Sequence, residues 1–407
     1  MYTYLKVKDF GPIKSGYNQN DGYIPLGKMS VFCGTQGTGK STIAKLCSTF
    51  VWLEKALVRG DFPASYVEQY NRFERRCLAY QGISGYVKGS DSYIHYKGIV
   101  FDFLYKNEKF KVLPHTDSIN YERPQIMYYP AERNLISVIE NVSNVKGMPN
   151  ALEAMLDEYN IACRSLTQDL QLPINGVYFH YDKSHKISSI IGKDHKVRMS
   201  ESSSGFQSLT PLFITMNYLS GIVRNGADNN VRVSLEEKMR IDKRITELLL
   251  DDTLDNDVRT NLIKKMSDNK NKRLISIVEE PEQNLSPESQ ESILYSMLRL
   301  AAMGKDQLLL TTHSPYILNY LMLAIKAKQV ENVVKNEDDM KELDAIVPRQ
   351  SRIGGNDVSV FQLSLDGTIS LLSSYNDIPS DDNYLNLLMM QVNSKYSSLV
   401  EIQSRYE

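Results

Sequence analysis

The run Gly34-Thr35-Gln36-Gly37-Thr38-Gly39-Lys40-Ser41 satisfies every fixed position of the pattern G-x-x-x-x-G-K-[ST]. Residues 29–33 before it are apolar and read as a buried strand. After it, Ile43, Leu46, Cys47, Phe50, Leu53 and Leu57 recur at helical spacing. Strand, glycine-rich loop and helix together make a phosphate cradle. The glycines let backbone N–H groups curl around phosphate oxygens, and the helix N-terminus adds partial positive charge. Lys40 can reach the terminal phosphates, and the Ser41 hydroxyl can hold Mg²⁺. The candidate nucleotide-binding residues are Gly34, Thr35, Gln36, Gly37, Thr38, Gly39, Lys40, Ser41 and Thr42. A glycine-rich turn without a ligand does not explain the complete pattern in this context.

The chain has 407 residues, room for one large lobed domain or two. Hydrophobic residues at 42% and charged residues at 24% describe a soluble globular protein. The net charge of -2 gives no global basic field toward nucleic acid or membrane, though a local patch such as Lys270, Lys272 and Arg273 stays open. Cys33, Cys47, Cys77 and Cys163 are scattered, with no C-x-x-C pair, as expected of core residues in a reducing compartment. The N-terminus lacks the apolar core of a signal peptide, and no apolar run is long enough to span a bilayer. A cytoplasmic protein is expected.

Along the chain, strands are expected at 4–7, 29–33, 99–104, 110–113 and 125–129. A helix with Leu152, Met155, Leu156, Tyr159 and Cys163 on one face follows, then a hairpin at 177–191 and an amphipathic helix opened by 200–207. Residues 235–265 read as a charged helical hairpin inserted between core elements. Then come a buried strand at 274–278, a helix at 286–303, a strand at 307–310 and a helix from Tyr316. A β-hairpin at 358–372 and a final helix at 384–401 close the reading.

Three further motifs carry chemistry. The strand Leu274-Ile-Ser-Ile-Val ends in Glu279-Glu280, which places two carboxylates at the carboxyl edge of a sheet, where α/β folds bind ligands. Glu279 can orient the Mg²⁺ shell through water, and Glu280 can act as general base on the attacking water. Solvated strand-end acids are the plain alternative, and a neighbouring phosphate loop weakens it. Thr311-Thr312-His313 ends another buried strand, where His313 can meet the γ-phosphate and the attacking water. Ser203-Ser204-Gly205 opens a helix and can form an anion site, though by itself it reads better as a serine N-cap.

Together with the opening Leu5-Lys-Val-Lys-Asp-Phe-Gly-Pro-Ile13, Glu279-Glu280-Pro281-Glu282 and Thr312-His313-Ser314-Pro315, these motifs resemble the ATP-binding-cassette ATPases. The branch they resemble contains the SMC, RecF and OLD ATPases. Pro130-Ala-Glu-Arg133 is similar to a loop of the members acting in prokaryotic anti-phage defence. The resemblance implies an α/β fold, an ABC-type P-loop nucleotide-binding domain with a mixed β-sheet, a helical signature lobe, a short helical insertion and no long coiled coil. It implies one ATPase domain over 1–407, with the signature lobe at 140–225, the insertion at 226–272 and a C-terminal hairpin and helix at 355–407. ATP and Mg²⁺ are the implied cofactors. Two copies would clamp two ATPs, with Ser203, Ser204 and Gly205 of one facing the phosphate loop of the other.

The signature reads Ser-Ser-Gly-Phe-Gln where transporters have Leu-Ser-Gly-Gly-Gln, and Glu279 stands where many relatives have Asp. Gln125 is the candidate for the metal-facing glutamine. No clustered acids suggest a nuclease in this chain, and Asp381-Asp382 reads as a solvated turn. The expected function is an ATP-hydrolysing switch that dimerises head-to-tail and controls a separate effector, a nuclease or toxin, in anti-phage or anti-plasmid defence. Nucleic acid is kept as a partner, a membrane is not. The rivals are a RecF-like DNA-repair ATPase, a nucleotide-gated scaffold with little turnover and, third, a transporter ATPase.

Overall fold

The computed structural model describes residues 2–115, 121–139, 145–225 and 271–406. The expected insertion at 226–272 lies outside them, apart from Asn271 and Lys272, as does Lys270. In chain order the first elements are β1 (Thr3–Lys8), β2 (Gly16–Tyr17), β3 (Ile24–Leu26) and β4 (Met29–Gly34). β4 is buried at every position and runs straight into the glycine loop. Helix α1 (Lys40–Arg59) follows and stops at Gly60, whose left-handed φ of 78° lets its N–H return to Ala56 and Leu57. Next come α2 (Ala64–Glu68), β5 (Tyr93–Lys97), β6 (Phe101–Lys106), β7 (Lys109–Pro114) and β8 (Pro124–Tyr129).

Then follow α3 (Leu135–Val138), α4 (Asn150–Ser165), β9 (Leu170–Gln171), β10 (Tyr178–Asp182), β11 (Ile187–Ile191), β12 (Lys196–Arg198) and α5 (Ser204–Asn225). β13 (Arg273–Glu279) leads to α6 (Pro287–Ala301), where Ser286 caps the helix and Pro287 takes the first position. β14 (Gln307–Thr312), α7 (Pro315–Glu331) and α8 (Glu337–Ile346) lead to β15 (Val358–Leu363), β16 (Thr368–Leu371) and α9 (Tyr384–Gln403). The sequence reading passed over α8, a short helix marked only by its Asn336 cap and three acids in its first turn.

A seven-stranded mixed sheet of order β2-β16-β15-β4-β14-β13-β8 forms the centre. β15, β4, β14, β13 and β8 are mutually parallel neighbours, so their carboxyl ends share one edge. A five-stranded antiparallel sheet, β3-β1-β5-β6-β7, packs on α1. Phe50 on α1 is fully buried and stacks on Phe73, Tyr96 and Phe103 at 5.8, 5.1 and 5.6 Å. Beside them Glu54 accepts the backbone N–H groups of Ile99, Val100 and Phe101 at 2.6, 2.7 and 3.3 Å. Between α4 and α5 in the chain runs a four-stranded sheet, β12-β11-β10-β9, whose central hairpin is the one legible in sequence. All four cysteines are buried and unbridged. No helix among the described residues is long and apolar enough to cross a membrane.

Candidate nucleotide-binding site

The parallel order β4-β14-β13-β8 brings four sequence-distant segments to one edge. The glycine loop leaves β4, and Gly34, Gly37 and Gly39 all have positive φ, at 143°, 80° and 100°. At Gly34 the choice is enforced from both sides, because a Cβ there would lie 2.3 Å from the Leu363 carbonyl. Gln36 and Gly37 form an exposed tip, while Thr38 and Lys40 are buried beneath it. Thr42 is buried on the first turn of α1. No side chain caps this helix and no acid sits in its first turn, which leaves its N-terminal charge for an anion.

Lys40 folds back over the loop. Its Nζ donates to the carbonyls of Gly34 at 3.0 Å and Thr35 at 2.7 Å, and lies 3.4 Å from His313 Nδ1. Burial lowers its pKa to about 8, against the opposing pull of Glu280 and other nearby acids. The Tyr128 hydroxyl at the end of β8 donates to Glu279, and Ser41 lies near enough to act on the same carboxyl. Burial pushes the Glu279 carboxyl up, and these two hydroxyls and Lys45 act the other way.

Glu280 sits in the left-handed region at φ 43°, unusual for a residue with a side chain. Its N–H donates to Thr311 at 2.9 Å, and its carbonyl accepts from Arg133 at 2.8 Å. These anchors turn the carboxylate toward His313, whose Nε2 lies 3.4 Å from Oε1. That hydrogen bond holds Glu280 below the usual glutamate range, so it is ionised at neutral pH. Glu282 sits beneath this pair and accepts from Thr312 Oγ1 at 2.9 Å and the His313 N–H at 2.6 Å, which fixes the histidine backbone.

Arg133 is fully buried and donates to carbonyls on three segments. It reaches Pro130 at 3.2 Å, Glu279 at 2.7 Å, Glu280 at 2.8 Å and Ser208 of α5 at 3.0 Å. Burial lowers its pKa to about 10, while Glu282 and the tandem acids raise it. Asn284 Nδ2 also donates to Ser208 Oγ at 2.8 Å, and a Cβ on Gly205 would meet the Asn284 carbonyl at 3.0 Å. The start of α5 is thus tied to the turn after the tandem acids. Ser203 and Ser204 remain exposed on its tip.

The structure therefore brings together the glycine loop, Ser41, Glu279, Glu280 and His313. Gln125 is a correction. It opens β8, paired with Leu274, roughly 13 Å along the strand from the end that carries the acids. There it accepts from Asn271 Nδ2 at 2.7 Å, and Tyr128 is the β8 side chain that reaches Glu279. Tyr128 had no sequence signal beyond closing a strand. Arg133 had one only through its loop.

Residues 258–318 match the AAA ATPase domain family, a span that holds both the tandem acids and His313. The fold is α/β, with a glycine-rich phosphate-binding loop between a central parallel strand and the helix that follows it. Solved structures similar to this chain include an SMC head bound to the C-winged helix domain of ScpA, an SMC head domain from Thermotoga maritima, and a nucleotide-free ATP-binding cassette from an ABC transporter. Each is 10% identical, with TM-scores of 0.37, 0.34 and 0.29. The two SMC heads cover 92% of this chain and 98% of their own, and the cassette covers 93% and 94%. No curated protein matches the sequence. At these identities and scores, no activity or partner is carried over.

Proposed function

We propose that the chain binds and hydrolyses ATP and uses the cycle as a switch between separate and dimeric states. The observation that carries this is the convergence of Lys40, Ser41, Glu279, Glu280 and His313 on one sheet edge. The loop and Lys40 hold the phosphates. Ser41 and Glu279, which lie near each other, suit Mg²⁺, which takes one or two protein ligands and completes its shell with water and phosphate. The ion neutralises charge on the terminal phosphates when bound. Glu280 takes a proton from the attacking water, and His313 orients the carboxylate and meets the γ-phosphate. The exposed Ser203-Ser204-Gly205 tip completes the site of a second copy, so the γ-phosphate links two chains and its loss releases them. Control of a separate effector in anti-phage defence follows from the resemblance of the motifs and of Pro130-Ala-Glu-Arg133.

Lys40 supplies a test of nucleotide binding. Phosphate favours its charged form, whereas the free site loses that proton above a pKa of about 8. Binding below pH 8 is expected to be independent of this group. Above it, binding takes up a proton, and affinity falls by up to about tenfold per pH unit. Calorimetry of ATP binding at pH 7 and pH 9, in buffers of different ionisation enthalpy, reads the uptake directly. Absence of uptake at pH 9, or ATP binding undiminished in Lys40→Ala, contradicts the assignment.

A second reading has its own observation. The outward face of the five-stranded sheet carries Lys6, Lys8, Lys97, Lys106, Lys109 and Lys111, with Tyr4 and Tyr93 between them. The ammonium groups of Lys97 and Lys6 lie 4.0 and 5.1 Å from the Tyr23 ring centroid. Asp102 shares the face and is held by His115 at 2.8 Å. A near-neutral chain thus concentrates lysines on one sheet, which favours a DNA-acting ATPase. Duplex binding is expected to weaken steeply with salt, and Lys109→Ala with Lys111→Ala to flatten the log–log salt slope by about two. Salt-insensitive binding, or none, removes this reading.

A further inference from the structure

Between α1 and the edge strand β8 lies a cavity of about 890 Å³, closed by residues 61–81 and the start of α4. That volume is in the range of small-molecule sites. It is separate from the glycine loop, because Trp52 in its wall lies roughly 18 Å along α1 from Lys40.

The mouth is aromatic and the floor apolar. Trp52, Tyr66 and Tyr80 are 46%, 39% and 42% exposed, whereas Val67, Cys77 and Met127 are buried. Trp52 lies 6.0 Å from Phe62, which lies 5.2 Å from Tyr66. The Arg72 guanidinium already lies 4.3 Å over the Tyr66 ring, so the exposed indole of Trp52 is the ring that accepts a planar group by stacking. Arg75 and Arg76 also line the cavity, both exposed and both on the π-helical turn Phe73–Leu78, a rare geometry enriched at functional sites. Neither guanidinium has a carboxylate partner among the described residues. Asp61, an acid of the same wall, is already taken by Arg59 at 2.7 Å. Gln81, 6% exposed, donates to Ser48 Oγ at 3.4 Å and leaves its amide oxygen without a partner.

We propose that this cavity is a second small-molecule site for a planar aromatic anion of the nucleoside monophosphate class. The ring stacks at Trp52, and the phosphate sits on Arg75 and Arg76. Tyr128 forms part of the cavity wall and ends in the hydroxyl bonded to Glu279. Occupancy therefore bears on the acid that faces the glycine loop. This coupling rests on the ATPase reading; the binding itself does not.

Trp52 is the only tryptophan in the chain, so its emission reports on this wall alone. The experiment titrates full-length Lys40→Ala, whose loop is disabled, with AMP, GMP, CMP and UMP and with the matching nucleosides. At least one monophosphate is expected to give a saturable change in Trp52 emission. Arg75→Ala with Arg76→Ala, at an unchanged thermal midpoint, should weaken it at least tenfold and leave the nucleoside unaffected. No saturable change with any monophosphate up to millimolar concentration overturns the proposal. So does equal affinity in the double variant. The coupling is read separately, as a change in wild-type phosphate release with the bound monophosphate that Tyr128→Phe abolishes. If wild type releases no phosphate even without the monophosphate, the ATPase reading has failed, while the emission titration still decides the site.

Discussion

Glu280→Gln is expected to slow phosphate release by about 10²–10⁴-fold while nucleotide affinity stays near wild type. Glutamine keeps the size of the side chain and its reach to His313, now 3.4 Å away, but it cannot take the water's proton. The backbone that aims it is unchanged, because Arg133 and Thr311 hold only main-chain atoms of Glu280. With the γ-phosphate retained, the variant should persist as a dimer in Mg-ATP and return to a monomer in ADP. Solution mass and phosphate release on the same samples read both effects. Normal turnover in this variant would remove Glu280 from the chemistry. Slow turnover without any change of mass would remove the dimer clamp and leave the hydrolysis.

Arg133→Leu is the second large effect, and it acts through position. The substitution removes four donor bonds from buried carbonyls in the 130 loop, the tandem-acid turn and α5. Hydrogen bonds to a charged group contribute about 1.5–3 kcal/mol each and do not add simply. A loss of about 3–5 kcal/mol in urea unfolding is expected, as for other broken buried charged networks. In the protein that still folds, the turnover number is expected to fall at least tenfold with little change in KM, since the hydrogen bonds of Arg133 go to the acid turn, the 130 loop and α5 and none goes to the glycine loop among the described residues. Arg133→Lys should be intermediate in both, since one ammonium cannot span three segments. A variant that is destabilised but has wild-type turnover would make Arg133 purely a folding residue.

The parts of the site that were legible in sequence are local. Gly34 to Ser41 carry their geometry in consecutive residues, and Glu279, Glu280 and His313 follow apolar strands that announce a sheet edge. The parts that were not legible join distant residues. Tyr128 and Glu279 are 151 positions apart, Arg133 and Ser208 are 75 apart, and Asn284 and Ser208 are 76 apart. No periodicity encodes such pairs; the first exists because β8 lies beside β13 in the parallel sheet, the other two because α5 packs on the 130 loop and on the turn after the acids. The strand pairing also explains Gln125, whose residue type fitted a role that its place at the wrong end of the strand does not. The lysine face was hidden for a related reason. Net charge sums over the whole chain, whereas strand alternation sorts Lys6, Lys8, Lys109 and Lys111 onto one surface.

The three N–H groups gathered by Glu54 have a mechanical meaning. They bolt the middle of α1 to the strand connection at 99–101, and the Phe50 stack fills the space beside them. The helix that leaves the glycine loop and the lysine-bearing sheet are therefore joined through buried contacts, while Arg133 and Asn284 tie the edge that carries the acids to α5. Under the proposed ATP cycle, a shift of α1 at the phosphates is expected to carry the lysine face with it.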